Sequence, residues 1–279
     1  MSARSTRLSP VSLREMKAKG QPIAALSLYT AWEAALAERA GIDVIVVGDS
    51  LAMCLLGFAS TVPVRFRTML LFCEAVWRGA KRPLIGGDLP FGTFTTPEKA
   101  VESAVEYVQH GATAVKVETV NPAIVDAISD AGIPVVPHLG LLPQQRERVG
   151  GFKATARTAS EARALVEVAK EMQSHGADFL LLEGIPYEVG ETITKNLSIP
   201  VLGIGAGPHV DGQLLVGCDV TGTYLPFKPR IAKKYLNDPA EISVKGKTTT
   251  GTNTRQRYLQ VMGPHKLDAM TRILEVEDY

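Results

Sequence analysis

The chain has 279 residues, 46% of them hydrophobic, enough to bury a large core in one or two domains. Its 30 basic and 29 acidic residues give a formal net charge of +1, which supplies no electrostatic reason to expect nucleic acid or a membrane surface as partner. No apolar run reaches the roughly 18 residues of a membrane span, and no secretory apolar region follows Met1. Cys54, Cys73 and Cys218 are an odd number without C-x-x-C spacing. Neither a disulfide framework nor a thiolate zinc site is indicated, and a reducing, cytoplasmic compartment is expected.

In chain order, the apolar runs predict strands at 23–29, 43–48, 83–88, 114–118, 133–138, 178–183 and 199–204, with a weaker eighth near 216–221. Amphipathic helices are predicted at 30–40, 66–79, 97–109, 121–131, 159–175 and 187–196. One junction recurs between them: AGIDVIVV from Ala40, HGATAVKV from His110, AGIPVVP from Ala131 and HGADFLLL from His175. Each places a glycine after a helical pattern, where a left-handed residue ends the helix without a Cβ clash. Thr96-Pro97-Glu98 reads as a helix start, with Thr as N-cap and Pro at the first helical position. Near-continuous apolar strands alternating with helices imply parallel βαβ units covered on both faces. Seven or eight such units in this length point to one (β/α)8 TIM barrel over 1–279, with an open doubly wound sheet as the alternative. The polar, Thr/Gly-rich stretch 239–257 reads as a surface loop or linker before a final helix at about 262–275.

The chemistry is carried by the residues at the strand ends. VIVVG ends in Asp49-Ser50, PLIGG in Asp88, AVKV in Glu118, PVVP in His138 and FLLL in Glu183, with Lys116 on the same strand face as Glu118. In a barrel these ends converge on one mouth. Asp49, Asp88 and Glu118 gathered there would repel one another unless a cation compensates, and hard oxygen ligands suit Mg²⁺ better than Zn²⁺. Such an ion chelates a 2-oxo acid and stabilises the enolate formed when a neighbouring C–H is deprotonated. Glu183 is the candidate base, and Lys116 supplies positive charge toward the substrate. His138 is either a hydrogen-bond donor in the site or a structural histidine beneath the loop HLGLLPQ. GIGAG at 203–207 reads as a tightly packed turn rather than a dinucleotide fingerprint, and Gly150-Gly151-Phe152-Lys153 as a lid or a turn.

VVGDSLAM, STVPV, DLPFGTF with TPEKA, VKVE, PHLGLLPQ, GGFKATAR, LLLEGIP and IPVLGIGAG with DGQLLV occur in order over about residues 8–235. Together they resemble the ketopantoate (3-methyl-2-oxobutanoate) hydroxymethyltransferase family, whose barrel is of the phosphoenolpyruvate mutase/isocitrate lyase type. The resemblance implies that Asp49 and Asp88 bind Mg²⁺ and the keto acid and that Glu118 completes the metal site. Ser50 and Lys116 match substrate-binding positions, and Glu183 matches the proton acceptor. The implied reaction carries a one-carbon unit from 5,10-methylenetetrahydrofolate to C3 of 3-methyl-2-oxobutanoate, giving 2-dehydropantoate. A cytoplasmic homo-oligomer, often a decamer, is implied as well.

The chain departs from the family pattern at Thr30, Ala52, Phe58, Phe72 and Thr119-Val120, in the stretch TGTYLPFKPRIAKKY, and through a divergent segment 236–279. Phenylalanine at the two positions where histidine is usual predicts a more apolar pocket and a bulkier or less polar acceptor. Two other functions use parts of the same residue set. One is a Mg²⁺-dependent lyase or aldolase acting on a 2-oxo acid, and the other is a non-catalytic ligand-binding barrel.

Overall fold

The computed structural model describes residues 7–224, so the expectations for 236–279, 239–257 and 262–275 lie outside the described residues. Helix α1 (Pro10–Ala18) leads into β1 (Ile23–Ser27) and α2 (Ala31–Arg39). Then follow β2 (Val44–Val47), α3 (Leu51–Cys54), α4 (Phe66–Gly79), β3 (Leu84–Asp88), α5 (Pro97–Gln109), β4 (Ala114–Val117) and α6 (Pro122–Asp130). The second half comprises β5 (Val135–Gly140), α7 (Arg146–Val149), α8 (Ala159–Ser174), β6 (Leu180–Glu183), α9 (Tyr187–Asn196), β7 (Val201–Ile204), β8 (Gly212–Val216) and α10 (Gly217–Thr221). The eight strands pair in parallel, in chain order, into a closed barrel. Gly41, Gly111, Gly132 and Gly176 in the recurring junction have φ of 85°, 98°, 77° and 89°, the left-handed caps that the pattern required.

Two apolar layers follow from the pleat. Ala24, Ile45, Val47, Ile85, Val115 and Leu182 pack outward with the surrounding helices. Their strand neighbours Ile23, Ala25, Val44, Val46, Leu84, Ala114, Val136, Leu181, Leu202 and Leu214 form a separate inner cluster. Continuing that inner face by twos reaches Ser27, Gly48, Asp88, Lys116, Glu118, His138 and Glu183. The inner face is therefore apolar at the lower end of the barrel and polar at its carboxyl end.

The eighth strand differs from its expected place: it runs Gly212–Val216, and residues 217–221 are helical. Strand β8 closes the barrel by pairing Ile23 with Gly212 through Ser27 with Val216. A Cβ at Gly212 would stand 2.2 Å from the Ile23 carbonyl oxygen, so glycine is what permits the closing strand to approach. Helix α1 is also additional to the expected elements. Ser9 and Ser12 cap it reciprocally, Pro10 begins it, and Leu13 and Met16 join the inner cluster. Arg14 pairs with Asp178 at 2.8 Å and Lys17 with Asp211 at 2.8 Å, which pins α1 across that end of the barrel.

Leu13 is fully buried against the inner barrel. Leu13→Ala is expected to cost about 3 kcal/mol through lost burial and a residual cavity. Urea unfolding should show a lower midpoint with an unchanged slope, and a midpoint equal to wild type would mean that α1 does not close the barrel end.

Candidate active site

A cavity of about 600 Å³ opens at the carboxyl ends of the strands. Its apolar floor is Val46, Leu181, Ile204 and Leu214, and its polar wall is Asp49, Ser50, Asp88, Lys116, His138 and Glu183. Met53, Cys54, Phe152, Asp219 and Tyr224 also line it. Six of the seven residues expected from the strand ends thus face one space. Glu118 is the seventh, buried behind Lys116.

Lys116 organises the wall. Its Nζ donates to both carboxylate oxygens of Asp88 at 2.8 Å and lies 3.7 Å from Glu118 Oε1. Asp88 is held further by the Asp49 backbone N–H, which donates to Oδ2 at 3.0 Å, while the Tyr107 hydroxyl donates to the Asp88 carbonyl at 2.6 Å. Asp49 Oδ2 accepts from Gln144 Nε2 at 3.0 Å, and Glu118 Oε2 accepts from the Gln144 backbone N–H at 3.0 Å. Burial raises the Asp49, Asp88 and Glu118 carboxyl pKa values, Asp88 well above the usual range, and the Lys116 charge only partly offsets this. The same burial would lower Lys116, but the three carboxylates outweigh it and its pKa is raised.

His138 bridges to the far side of the wall. Its Nε2 lies 3.2 Å from Glu183 Oε2 and its Nδ1 lies 3.6 Å from Glu118 Oε1. Neither contact is aligned as a hydrogen bond, so both ring nitrogens are without a partner among the described residues. Burial, with Lys116 adding to it, lowers the His138 pKa and keeps the imidazole neutral at pH 7. Ser50 is tied from the β1 side: the Tyr29 and Ser50 hydroxyls are 2.8 Å apart, and Ser27 Oγ is 3.4 Å from Ser50 Oγ.

Buried polar side-chain atoms without partners, among the described residues, belong to Thr61, Glu118, His138, Gln144 and Thr155. All but Thr155 stand in or behind this wall. Orphaned groups concentrated at one site mark where a bound species would complete the hydrogen bonding. Ionised Asp49, Asp88 and Glu118 with Lys116 carry a formal charge of −2, and their oxygens are hard donors. That chemistry fits a divalent cation such as Mg²⁺. The three carboxylates do not form a ready-made cage, however. Lys116 contacts both Asp88 and Glu118, and no group of three His, Cys, Asp or Glu side chains among the described residues is placed to hold an ion.

Several residues of the site escaped the sequence reading. Gln144, Tyr29 and Thr61 come from loops rather than strand ends; Gln144 stood within the motif HLGLLPQ and Thr61 within STVPV, but neither was given a role. The two phenylalanine departures separate. Phe58 lines a smaller adjoining cavity of about 410 Å³, whereas Phe72 packs against the core on α4 and lines neither cavity. The expectation that both make the pocket more apolar holds for neither in the main cavity. Ala52 is fully buried, and Thr30 caps α2 in a reciprocal pair with Glu33. Within GIGAG only Ile204 lines the main cavity, and a Cβ at Gly207 would meet Tyr187 at 2.3 Å, as in a packed turn.

The profile of the ketopantoate hydroxymethyltransferase family matches residues 7–247, most of the chain and beyond the Tyr235 limit of the motifs. The chain belongs to the ketopantoate hydroxymethyltransferase family. A 3-methyl-2-oxobutanoate hydroxymethyltransferase from Saccharophagus degradans is 42% identical over 234 residues, covering 83% of this chain and 86% of its own. One from a Geobacillus species is 44% identical over 233 residues, covering 82% and 84%. Such relatives make the chain a transferase enzyme. The fold is shared more widely. A 2,3-dimethylmalate lyase of the phosphoenolpyruvate mutase/isocitrate lyase superfamily superposes with a TM-score of 0.53 at 18% identity, over 74% of this chain and 80% of that one. Phosphonopyruvate hydrolase in complex with oxalate and Mg²⁺ gives 0.57 at 14% identity, over 75% and 81%. The barrel of this family member thus shares its fold with those two enzymes.

The cavity lip offers a chemical check on this geometry. Cys54 has its pKa lowered by a hydrogen bond from the Cys218 thiol, whereas burial pushes Cys73 up to about 12. At pH 7.5 iodoacetamide should therefore alkylate Cys54 ahead of Cys73, since the thiolate is the nucleophile. Peptide mass spectrometry over time reads the order, and equal rates would contradict the placement of Cys54 on the cavity wall.

Proposed function

We propose that the enzyme is a Mg²⁺-dependent transferase that adds a one-carbon unit from 5,10-methylenetetrahydrofolate to C3 of 3-methyl-2-oxobutanoate or a related 2-oxo acid. The observation that carries the reading is the division of the carboxylates. Asp88 and Glu118 are tied to Lys116 and Asp49 to Gln144, while Glu183 borders the same cavity with only the neutral His138 beside it. One group of acids is thus suited to a cation and a separate one to accepting a proton.

Asp49 and Asp88, with Glu118 behind them, would hold the Mg²⁺, water and substrate supplying the remaining ligands. When bound, the ion supplies Lewis acidity that polarises the substrate ketone. Glu183 takes the C3 proton, and the electron pair left on C3 forms the bond to the donor's methylene carbon. Both C–N bonds of that methylene break; water supplies the hydroxyl oxygen, and tetrahydrofolate leaves with the C3 proton and one water proton on its two nitrogens. His138, 3.2 Å from Glu183, stands beside that carboxylate on the cavity wall. Lys116 spends its close hydrogen bonds on Asp88, so it acts first by offsetting part of the acids' charge and only second as a charge facing the substrate. The hydroxyl of Ser50, fixed by Tyr29, faces the cavity as a hydrogen-bonding group for the keto acid. The apolar floor would take the branched alkyl group. The adjoining cavity shares Met53, Phe152 and Tyr224 with the first and gives room for the donor.

Exposed Trp32 and Leu36 on α2 and Leu71 on α4 suit association into a homo-oligomer, which we expect to be the family's decamer. The free thiols suit the cytoplasm.

Proton NMR of C3–H/D exchange across a panel of 2-oxo acids with Mg²⁺ tests the proposal without presupposing the electrophile. Wild type should exchange 3-methyl-2-oxobutanoate, and Glu183→Gln should lower the rate at least about 10²-fold while keto-acid binding is nearly unchanged. Equal exchange in the two proteins removes Glu183 from the mechanism. Cleavage of a 2-oxo acid with no use of a one-carbon donor would establish a lyase instead.

A further inference from the structure

We propose that Gln144 is the positioning residue of this site, holding Asp49 and Glu118 so that their remaining oxygens are aimed at a divalent cation. The inference rests on the metal reading given above and adds a residue to it.

Gln144 lies in the short 3-10 turn Pro143–Gln145 after β5 and is only 4% exposed. A glutamine at a loop tip is ordinarily solvated, so its burial in an acidic wall calls for a cause. Three of its N–H groups are spent on three different strand ends. The backbone N–H donates to Glu118 Oε2 at 3.0 Å, and Nε2 donates to Asp49 Oδ2 at 3.0 Å and to the Leu89 carbonyl at 3.0 Å. It is thus a neutral bracket across the ends of β2, β3 and β4. One oxygen of Asp49 and one of Glu118 are capped, which leaves the other of each for a further partner. Glu118 Oε1 is buried with no hydrogen bond, the state expected of a carboxylate fixed in place ahead of its ligand. A second lysine in the same position would cancel one of the wall's two remaining negative charges and weaken the demand for a cation. An amide donates to the carboxylates without cancelling their charge.

The bracket also ties the site to the loop that covers it. Arg146, two residues on, donates to the Ala59 carbonyl and stacks 5.3 Å over the Phe152 ring, and Phe152 lines the cavity. The turn that carries Gln144 is therefore anchored to the β2 loop on its outer side as well as to the acids on its inner side.

Gln144→Met keeps the length and volume of the side chain and the backbone N–H to Glu118 but removes both Nε2 bonds. Mn²⁺, titrated into the full-length protein and followed by the loss of the free-ion electron paramagnetic resonance signal, reads the effect independently of turnover. The expected result is an affinity weakened about 10-fold or more. C3 exchange should fall at low Mg²⁺ and rise as Mg²⁺ is added, the loss appearing as a raised KM for the metal. Should the Met variant fail to fold, Gln144→Asn, which keeps a buried amide one methylene short of Asp49, is read in the same way. Wild-type Mn²⁺ affinity in a folded variant overturns the inference and leaves the proposed function standing. Failure of both variants to fold makes the residue structural and also overturns it. A wild-type protein that binds no Mn²⁺ overturns the metal reading first, and the role of Gln144 with it.

Discussion

Three carboxylates and one ammonium share the buried wall of this barrel, and the contact of Lys116 with both oxygens of Asp88 at 2.8 Å is what lets them coexist. Desolvation alone would neutralise Asp49, Asp88 and Glu118 by protonation. Lys116 can compensate one charge of three. The others are tempered by hydrogen bonds from Gln144, which carry no net charge, so the wall is left short of positive charge rather than balanced. A site of this kind is costly to fold and useful to occupy, since a cation entering it relieves repulsion already built in. The proposed Mg²⁺ chemistry would draw on this imbalance.

The barrel makes the imbalance possible. Its period-2 strands send alternate residues inward, and that inner face changes from Val44, Leu84 and Ala114 below to Asp88, Lys116 and Glu118 above. The lower layer, closed by Leu13 and Met16 of α1, keeps water out beneath the acids. Outer packing against the helices fixes the strand ends that carry them. Stability is concentrated in the apolar part of the barrel and uncompensated charge at its mouth, which is the usual division between scaffold and site.

Much of this was legible in the sequence, for reasons that differ by residue. Strand ends carrying Asp49, Asp88, Glu118, His138 and Glu183 repeat at regular intervals, and a closed barrel brings them together whatever the loops do. Helix-ending glycines such as Gly111 announce themselves by composition, because few other residues reach a φ of 98°. Gln144 and Tyr29 were not legible, since a loop residue's partner depends on how the loop folds back over the barrel. The last strand was misplaced because GQLLVGCDV is apolar at both ends, and only the close approach of Gly212 to Ile23 selects its register. Phe72 was assigned to the pocket by its alignment with a family histidine, yet the helical period of α4 turns it toward the core.

The central claim, that the acidic wall is unbalanced until a divalent cation enters, is tested most directly by thermal unfolding of Asp49→Asn with and without Mg²⁺. Asparagine preserves the shape of the side chain and its acceptor for Gln144 while removing one unit of negative charge. In the absence of metal the variant should melt at or above the wild-type midpoint. Mg²⁺ at about 100 times its Kd should stabilise wild type by about 2.7 kcal/mol, a shift of several degrees, and leave the variant nearly unmoved. A metal-free variant that melts clearly below wild type, or one that gains as much from Mg²⁺ as wild type does, would contradict the account.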